Sequence, residues 1–187
     1  LASLIHQFEM KTKTASDKID NMKLVTILAS LRQIKSEEEI VLLRKAIDIT
    51  CDAQIELMKN LKPGMKEYQL LGLVTGEALS AGGGVSFPPI ITIDGQTLHN
   101  HNYSNTLTPG KMLLGDFGAE SDMHYAGDIT RTIPVGPQFS SRQREVYQIV
   151  FNAYQAAVTA LKPGLKFKEV HLLACRKLAE GLKELGL

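Results

Sequence analysis

Gly115 to Thr132 reads GDFGAESDMHYAGDITRT, two aspartates in strand-like runs on either side of the turn-prone ESDMH. A hairpin centred near Asp122 makes Asp116 and Asp128 direct cross-strand partners, because they are symmetric about it. Directly opposed residues share one face of a sheet, about 4.5–5.5 Å apart at Cα. Two carboxylates at that range repel, and burial raises the cost. They share a proton, one of them turns away, or a cation sits between them. Carboxylate oxygens suit hard or borderline divalent ions such as Mn²⁺, and one carboxylate can bridge two of them. Thr130 lies on the same strand face as Asp128 and places a hydroxyl to orient a ligand. The plainer alternative is a pair of solvent-facing turn residues. Arg131 and Glu120 are expected to pair across the hairpin, and Gly118 and Gly127 to let backbones approach closely.

These strands need elements to hold them. Ser36 with Glu37, Glu38 and Glu39 predicts a helix start with a capping box, and apolar residues then recur at helical spacing to Leu61. Lys62-Pro63-Gly64 ends that helix. A second helix is predicted over Tyr68–Leu79, ending at Gly82-Gly83-Gly84, which reads as a plain turn because the ending of a phosphate-binding loop is missing. FPPIITIDG reads as a strand, as do KMLLGDFGAE and YAGDITRTIPV. Ser140–Leu161 and Lys168–Leu185 read as helices. Residues 1–35 read as two short elements separated by KTKTASDKIDN, expected to be the tail of a preceding domain plus a linker.

LKPGMK begins at Leu61 and LKPGLK at Leu161. The shift that overlays them also overlays the helix before each phrase and the amphipathic helix after it, with Ala53 over Ala153. The period is too long for a solenoid. A duplicated α/β half-domain, two pseudo-symmetric units sharing one sheet, accounts for it. After the first phrase come the strands carrying Asp116; after the second only a helix remains, so the second unit's strands are expected to be missing.

A chain of 187 residues is long enough to bury a core, and 44% hydrophobic with 22% charged residues is an ordinary globular balance. A net charge of +1 gives no electrostatic reason to expect nucleic acid or an anionic membrane, and the absence of Trp argues against base-stacking platforms. No apolar run reaches the roughly 18 residues of a membrane span. Cys51 and Cys175 read as buried free thiols of a reducing, cytoplasmic compartment. The first residues do not read as a signal peptide. With no initiating Met, the chain is expected to be an excerpt of a longer one.

RQIKSEEEI (32–40), LHNHNYSN (98–105), DFGAE (116–120) and YAGDITRTIPV (125–135), in that order, resemble the pita-bread metallopeptidases, and within them aminopeptidase P and the Xaa-Pro dipeptidases. The resemblance implies an α+β pita-bread (creatinase/aminopeptidase-like) fold, with pseudo-symmetric α/β halves around a curved sheet and the second half truncated, over residues 36–187. It implies two divalent metal ions, Mn²⁺ foremost with Zn²⁺ or Co²⁺ as alternatives, with Asp116 chelating one and Asp128 bridging both. A His and two Glu are then required from the second half, so this chain alone is expected to be inactive. His99 matches the family's substrate-site histidine, which hydrogen-bonds the substrate or the tetrahedral intermediate; His101 is its neighbour if the local alignment slips. His124 is left as a turn residue. The Asp116 to Asp128 gap is one residue longer than in the family's common members, to be absorbed by a longer turn or bulge in ESDMH.

The implied activity is an Xaa-Pro aminopeptidase, releasing an N-terminal residue ahead of proline by attack of a hydroxide bridging the two ions. Its partners are peptides with proline at the second position, with a homo-oligomer as a further option. An Xaa-Pro dipeptidase, a non-catalytic peptide- or protein-binding module and a metal-free creatinase-like hydrolase are the alternatives; retention of both aspartates argues against the last two.

Overall fold

The computed structural model describes residues 21–97 and 99–187, so the first of the two short elements expected within residues 1–35 lies outside the described residues. The chain divides into two compact units after Val41. The described part of the first holds helix α1 (Asn21–Gln33) and the opening turn of α2 (Glu37–Asn60). The capping box expected at Ser36 is present: Ser36 Oγ accepts from the Glu39 N–H at 3.3 Å, and Glu39 Oε2 from the Ser36 N–H at 2.7 Å.

The second unit, residues 42–187, carries the rest of α2, then α3 (Glu67–Ser80), β1 (Ile90–Thr92), β2 (Met112–Phe117), β3 (Ile129–Pro134), α4 (Ser141–Ala160) and α5 (Phe167–Glu184). The two LKPG phrases form the same turn. Gly64 and Gly164 both sit at φ +87°, a left-handed conformation that glycine adopts without strain. Helices α3 and α5 follow at residues 67 and 167, each opened by a side chain reaching back to the capping amide: Gln69 Oε1 to Lys66 N–H at 2.8 Å and Glu169 Oε2 to Lys166 N–H at 2.9 Å. Ala53 and Ala153 are both buried, and so are Leu70 and Val170. Helix, turn and helix thus recur with matching inward positions.

The three strands make an antiparallel sheet in the order β1-β2-β3. Along β2 burial alternates, with Leu113, Gly115 and Phe117 fully inward and Met112, Leu114 and Asp116 half-buried on the other face. Leu113 and Phe117 join Leu57 of α2, Leu70 and Val74 of α3, and Ile91 of β1 in the main core cluster. Strand β1 is shorter than FPPIITIDG promises. Pro88 and Pro89 bring no N–H to a ladder, and the Thr97 N–H bonds Asp94 O at 2.9 Å to turn the chain away. The Gly82–Gly84 run is more than a plain turn. A side chain at Gly83 would collide with the Glu120 backbone, and the Glu120 N–H donates to Gly84 O at 2.9 Å. No described helix is long and apolar enough to cross a membrane.

Two buried polar residues of α2 dock it onto β2 and β3. Gln54 Nε2 donates to Gly115 O at 3.1 Å and to Ile129 O at 2.7 Å, tying the two strands to one amide. Thr50 Oγ1 accepts from the buried Ala119 N–H at 2.9 Å and donates to Ala46 O at 2.8 Å. Replacing Thr50 by valine keeps the shape and removes that acceptor. Thr50→Val is expected to cost about 1–3 kcal/mol, the penalty of a buried unpaired N–H, read as a lower urea midpoint at unchanged slope.

Candidate metal centre

Asp116 sits in β2 between Ile90 and Thr130, and the direct partner expected for it, Asp128, is not opposite it. The observed register pairs Asp116 with Thr130 and continues to a Glu120–Ala126 bridge, which sets Asp128 opposite Gly118. The two aspartates keep the same face but as diagonal neighbours, about 7–8 Å apart at Cα in a regular ladder. Thr130, expected to serve Asp128, instead donates its hydroxyl to Asp116 Oδ1 at 2.7 Å. Asp128 lies one residue ahead of β3 and is exposed. The peptide leading into it is fixed by Ser86 Oγ, which donates to Gly127 O at 2.8 Å across the space that a side chain at Gly118 would fill.

The turn explains the shift. The His124 N–H bonds Ser121 O at 2.9 Å and the Ser121 N–H bonds Tyr125 O at 2.9 Å, closing a three-residue loop over Asp122, Met123 and His124. His124 takes φ +62°, the left-handed residue of a turn-plus-bulge hairpin. The extra residue between the aspartates is therefore taken up as a bulge, and the hairpin centres on Met123 rather than Asp122. The same register separates Arg131 from Glu120, correcting the pair expected between them. Arg131 Nη1 donates to Thr130 O at 2.7 Å, and Glu120 Oε2 instead meets His124 Nδ1 at 3.0 Å. Lys45 of α2 lies 3.1 Å from Asp122 and holds its carboxyl below the usual carboxylate range.

His99 is exposed in the loop between β1 and β2 with φ +57°, another left-handed non-glycine position. Among the described residues no hydrogen bond or ion pair joins it to Asp116 or Asp128. His101 Nδ1 lies 3.3 Å from Tyr103 Oη, which donates to Pro89 O at 2.6 Å; burial pushes the Tyr103 phenol up.

Two carboxylates thus share one sheet face, and among the described residues neither is paired with a Lys, Arg or His. An all-oxygen donor set of like charge, with a hydroxyl orienting one member, suits a hard or borderline divalent cation. Among the described residues no group of three or more His, Cys, Asp and Glu side chains gathers into a fuller ligand set. The register that separates the aspartates rests on the conformation of His124, which favours glycine. His124→Gly is expected to hold or gain stability, by up to about 1 kcal/mol. His124→Val, with a branched side chain at positive φ, is expected to lose about 1–3 kcal/mol. Chemical denaturation of the two variants checks both.

Residues 41–186 match the model of metallopeptidase family M24. The Xaa-Pro aminopeptidase of Escherichia coli is 36% identical over 166 residues, covering 86% of this chain and 37% of that protein. Among solved structures, proline aminopeptidase P II from Yersinia pestis superposes with a TM-score of 0.82 at 37% identity, over 86% of this chain and 37% of that one. The zinc-substituted E. coli aminopeptidase P in complex with product gives 0.80 at 36% identity, over 83% of this chain and 36% of that one. The chain spans only 29–38% of the length of the first curated relatives it matches. Its α+β architecture is that of the pita-bread fold, with which these neighbours align. The chain belongs to metallopeptidase family M24.

Proposed function

We propose that this chain is part of a metal-dependent aminopeptidase that releases an N-terminal residue ahead of proline. The observation that carries the reading is the pair Asp116 and Asp128. They are carboxylates on one sheet face without a counter-cation among the described residues, in a chain whose family is a metallopeptidase family. In this reading Asp116, held by the Thr130 hydroxyl, and Asp128, held through its preceding peptide by Ser86, contribute to binding two divalent ions, with Mn²⁺ the preferred metal. When bound, the ions supply Lewis acidity toward the scissile carbonyl and activate water. His99, exposed on its loop, donates a hydrogen bond to substrate or to the oxygen on which charge develops. The specificity for proline rests on likeness to Xaa-Pro aminopeptidases.

The remaining ligands, a His and two Glu by resemblance, belong to the second pseudo-symmetric half, so the 187 residues by themselves carry an incomplete site. Residues 1–35 then serve as the tail of a preceding domain and a linker. The free thiols are less buried than expected, Cys51 being half-buried and Cys175 exposed on α5, and unpaired thiols suit a reducing cytoplasm.

In the gene product that contains this chain and those ligands, Asp128→Asn is expected to lower turnover of an Xaa-Pro peptide by more than about 100-fold, as is exhaustive chelation. Unchanged turnover in either experiment overturns the reading. For the isolated 187-residue chain, titration calorimetry with Mn²⁺ is expected to show weak binding and peptide assays negligible turnover. Tight uptake of two ions would contradict an incomplete site.

A further inference from the structure

We propose that Glu67 is a positioning residue that closes the base of the loop carrying His99; its link to catalysis rests on the reading of His99 given above. Glu67 opens α3 and is 0% exposed. Its Oε1 accepts two hydrogen bonds, from the Ile93 N–H at 2.8 Å and from Asn105 Nδ2 at 3.1 Å. Those two residues bracket the 94–104 loop. The backbone adds a third tie, because the Glu67 N–H donates to Asn105 O at 3.1 Å. Both ends of the loop are therefore fastened to one side chain.

Between those ends the loop is shaped locally. Asn100 Oδ1 accepts from the Asn102 N–H at 3.0 Å and Asn102 Oδ1 from the Ser104 N–H at 3.1 Å, two side-chain-closed turns. His99 nevertheless stands at φ +57°, a conformation that a residue with a Cβ keeps only where its surroundings impose it. Turns inside a loop set its shape but not its placement on the domain. That placement comes from ties to the domain at and beside its ends, where the Tyr68 N–H also donates to Tyr103 O at 3.0 Å and Lys66 Nζ to Ser104 O at 3.0 Å.

The duplicated half shows that the helix start does not itself demand this acid. The position matching Glu67 after the second LKPG turn is Phe167, which is 81% exposed, although the turn glycine recurs and a third-position side chain, Gln69 or Glu169, reaches back in both halves. Burying a carboxylate is costly unless donors surround it. Here two N–H donors and the positive end of α3 offset the charge on one oxygen, while Oε2 is buried with no hydrogen-bond partner among the described residues. Glutamate is thus placed where only its first-half neighbours, Ile93 and Asn105, give it work. Glutamine can keep both bonds to Oε1, whereas alanine loses both.

Hydrogen exchange on the 187-residue chain tests the clamp. In Glu67→Ala the amides of 94–97 and 99–104 are expected to exchange at least about 10-fold faster while those of the β2–β3 hairpin hold their protection, and Glu67→Gln is expected to restore most of the difference. Asn105→Ala, which removes one donor and leaves the helix start intact, gives the same comparison should Glu67→Ala fail to fold. Loop exchange equal to wild type in these variants overturns the proposal. In the full-length enzyme Glu67→Ala is expected to lower kcat about 10–100-fold with little change in bound metal. The double variant Glu67→Ala/His99→Ala is expected to be no slower than His99→Ala. Independent losses that multiply would show that Glu67 does not act through His99, and would overturn that role. An H99A enzyme with wild-type activity would overturn the reading of His99 itself, whereas loop exchange tests the clamp independently of catalysis.

Discussion

Helix α2 rests on two glycines, and each of them precedes an aspartate. At Gly115 a side chain would meet Leu57 Cδ2 at 2.7 Å; at Gly127 it would run into Thr50 Oγ1 and lie 2.8 Å from Ala46 O. This close approach is what brings the Thr50 hydroxyl within reach of the Ala119 N–H and the Gln54 amide within reach of both strands. Asp116 and Asp128 therefore project from peptides whose other side is pressed on the buried face of α2. Since side chains alternate along a strand, glycine toward the helix puts carboxylate on the opposite face. The placement of the charged pair follows from packing on the side away from it.

Duplication supplies the scaffold, and its departures from symmetry mark what one half carries alone. The two helix–turn–helix units agree where packing requires it, at Ala53 and Ala153, Leu70 and Val170, Gly64 and Gly164. They part at Glu67 and Phe167, one a buried hydrogen-bonded acid and the other an exposed ring. A repeated core tolerates such divergence because the matching positions carry the burial energy. A position at the helix entrance is then free to hold something that exists in one half only, here the loop between β1 and β2.

Like charges set a further constraint. Two carboxylates directly opposed on a sheet would repel at short range. The three-residue loop with His124 at its left-handed position moves Asp128 two residues along the ladder, opposite Gly118, and gives Asp116 a hydroxyl, Thr130, in its place. The bulge thus does more than absorb an added residue, since it decides which side chain faces Asp116.

The elements were legible in the sequence because their signals are local. Helical spacing from Ile40 to Leu61, the capping box at Ser36 and the repeated Lys-Pro-Gly each depend on neighbours within a few residues, and helices α2 to α5 stand within a residue or two of where such signals place them, whereas the strands are shorter than their apolar runs. Membership of a metallopeptidase family was legible for a similar reason, since its motifs are short runs in a fixed order. The hairpin register was half legible. Ser121 and Asp122 are favoured at the start of a tight turn, which would have centred the hairpin on Met123, but symmetry between the aspartates suggested otherwise. Three features were settled by tertiary structure alone: Thr130 facing Asp116, Gln54 bonding two strands, and Glu67 joining Ile93 to Asn105. Each depends on segments distant in sequence meeting at hydrogen-bond range. No local pattern encodes such a distance, which exists only once the core has packed.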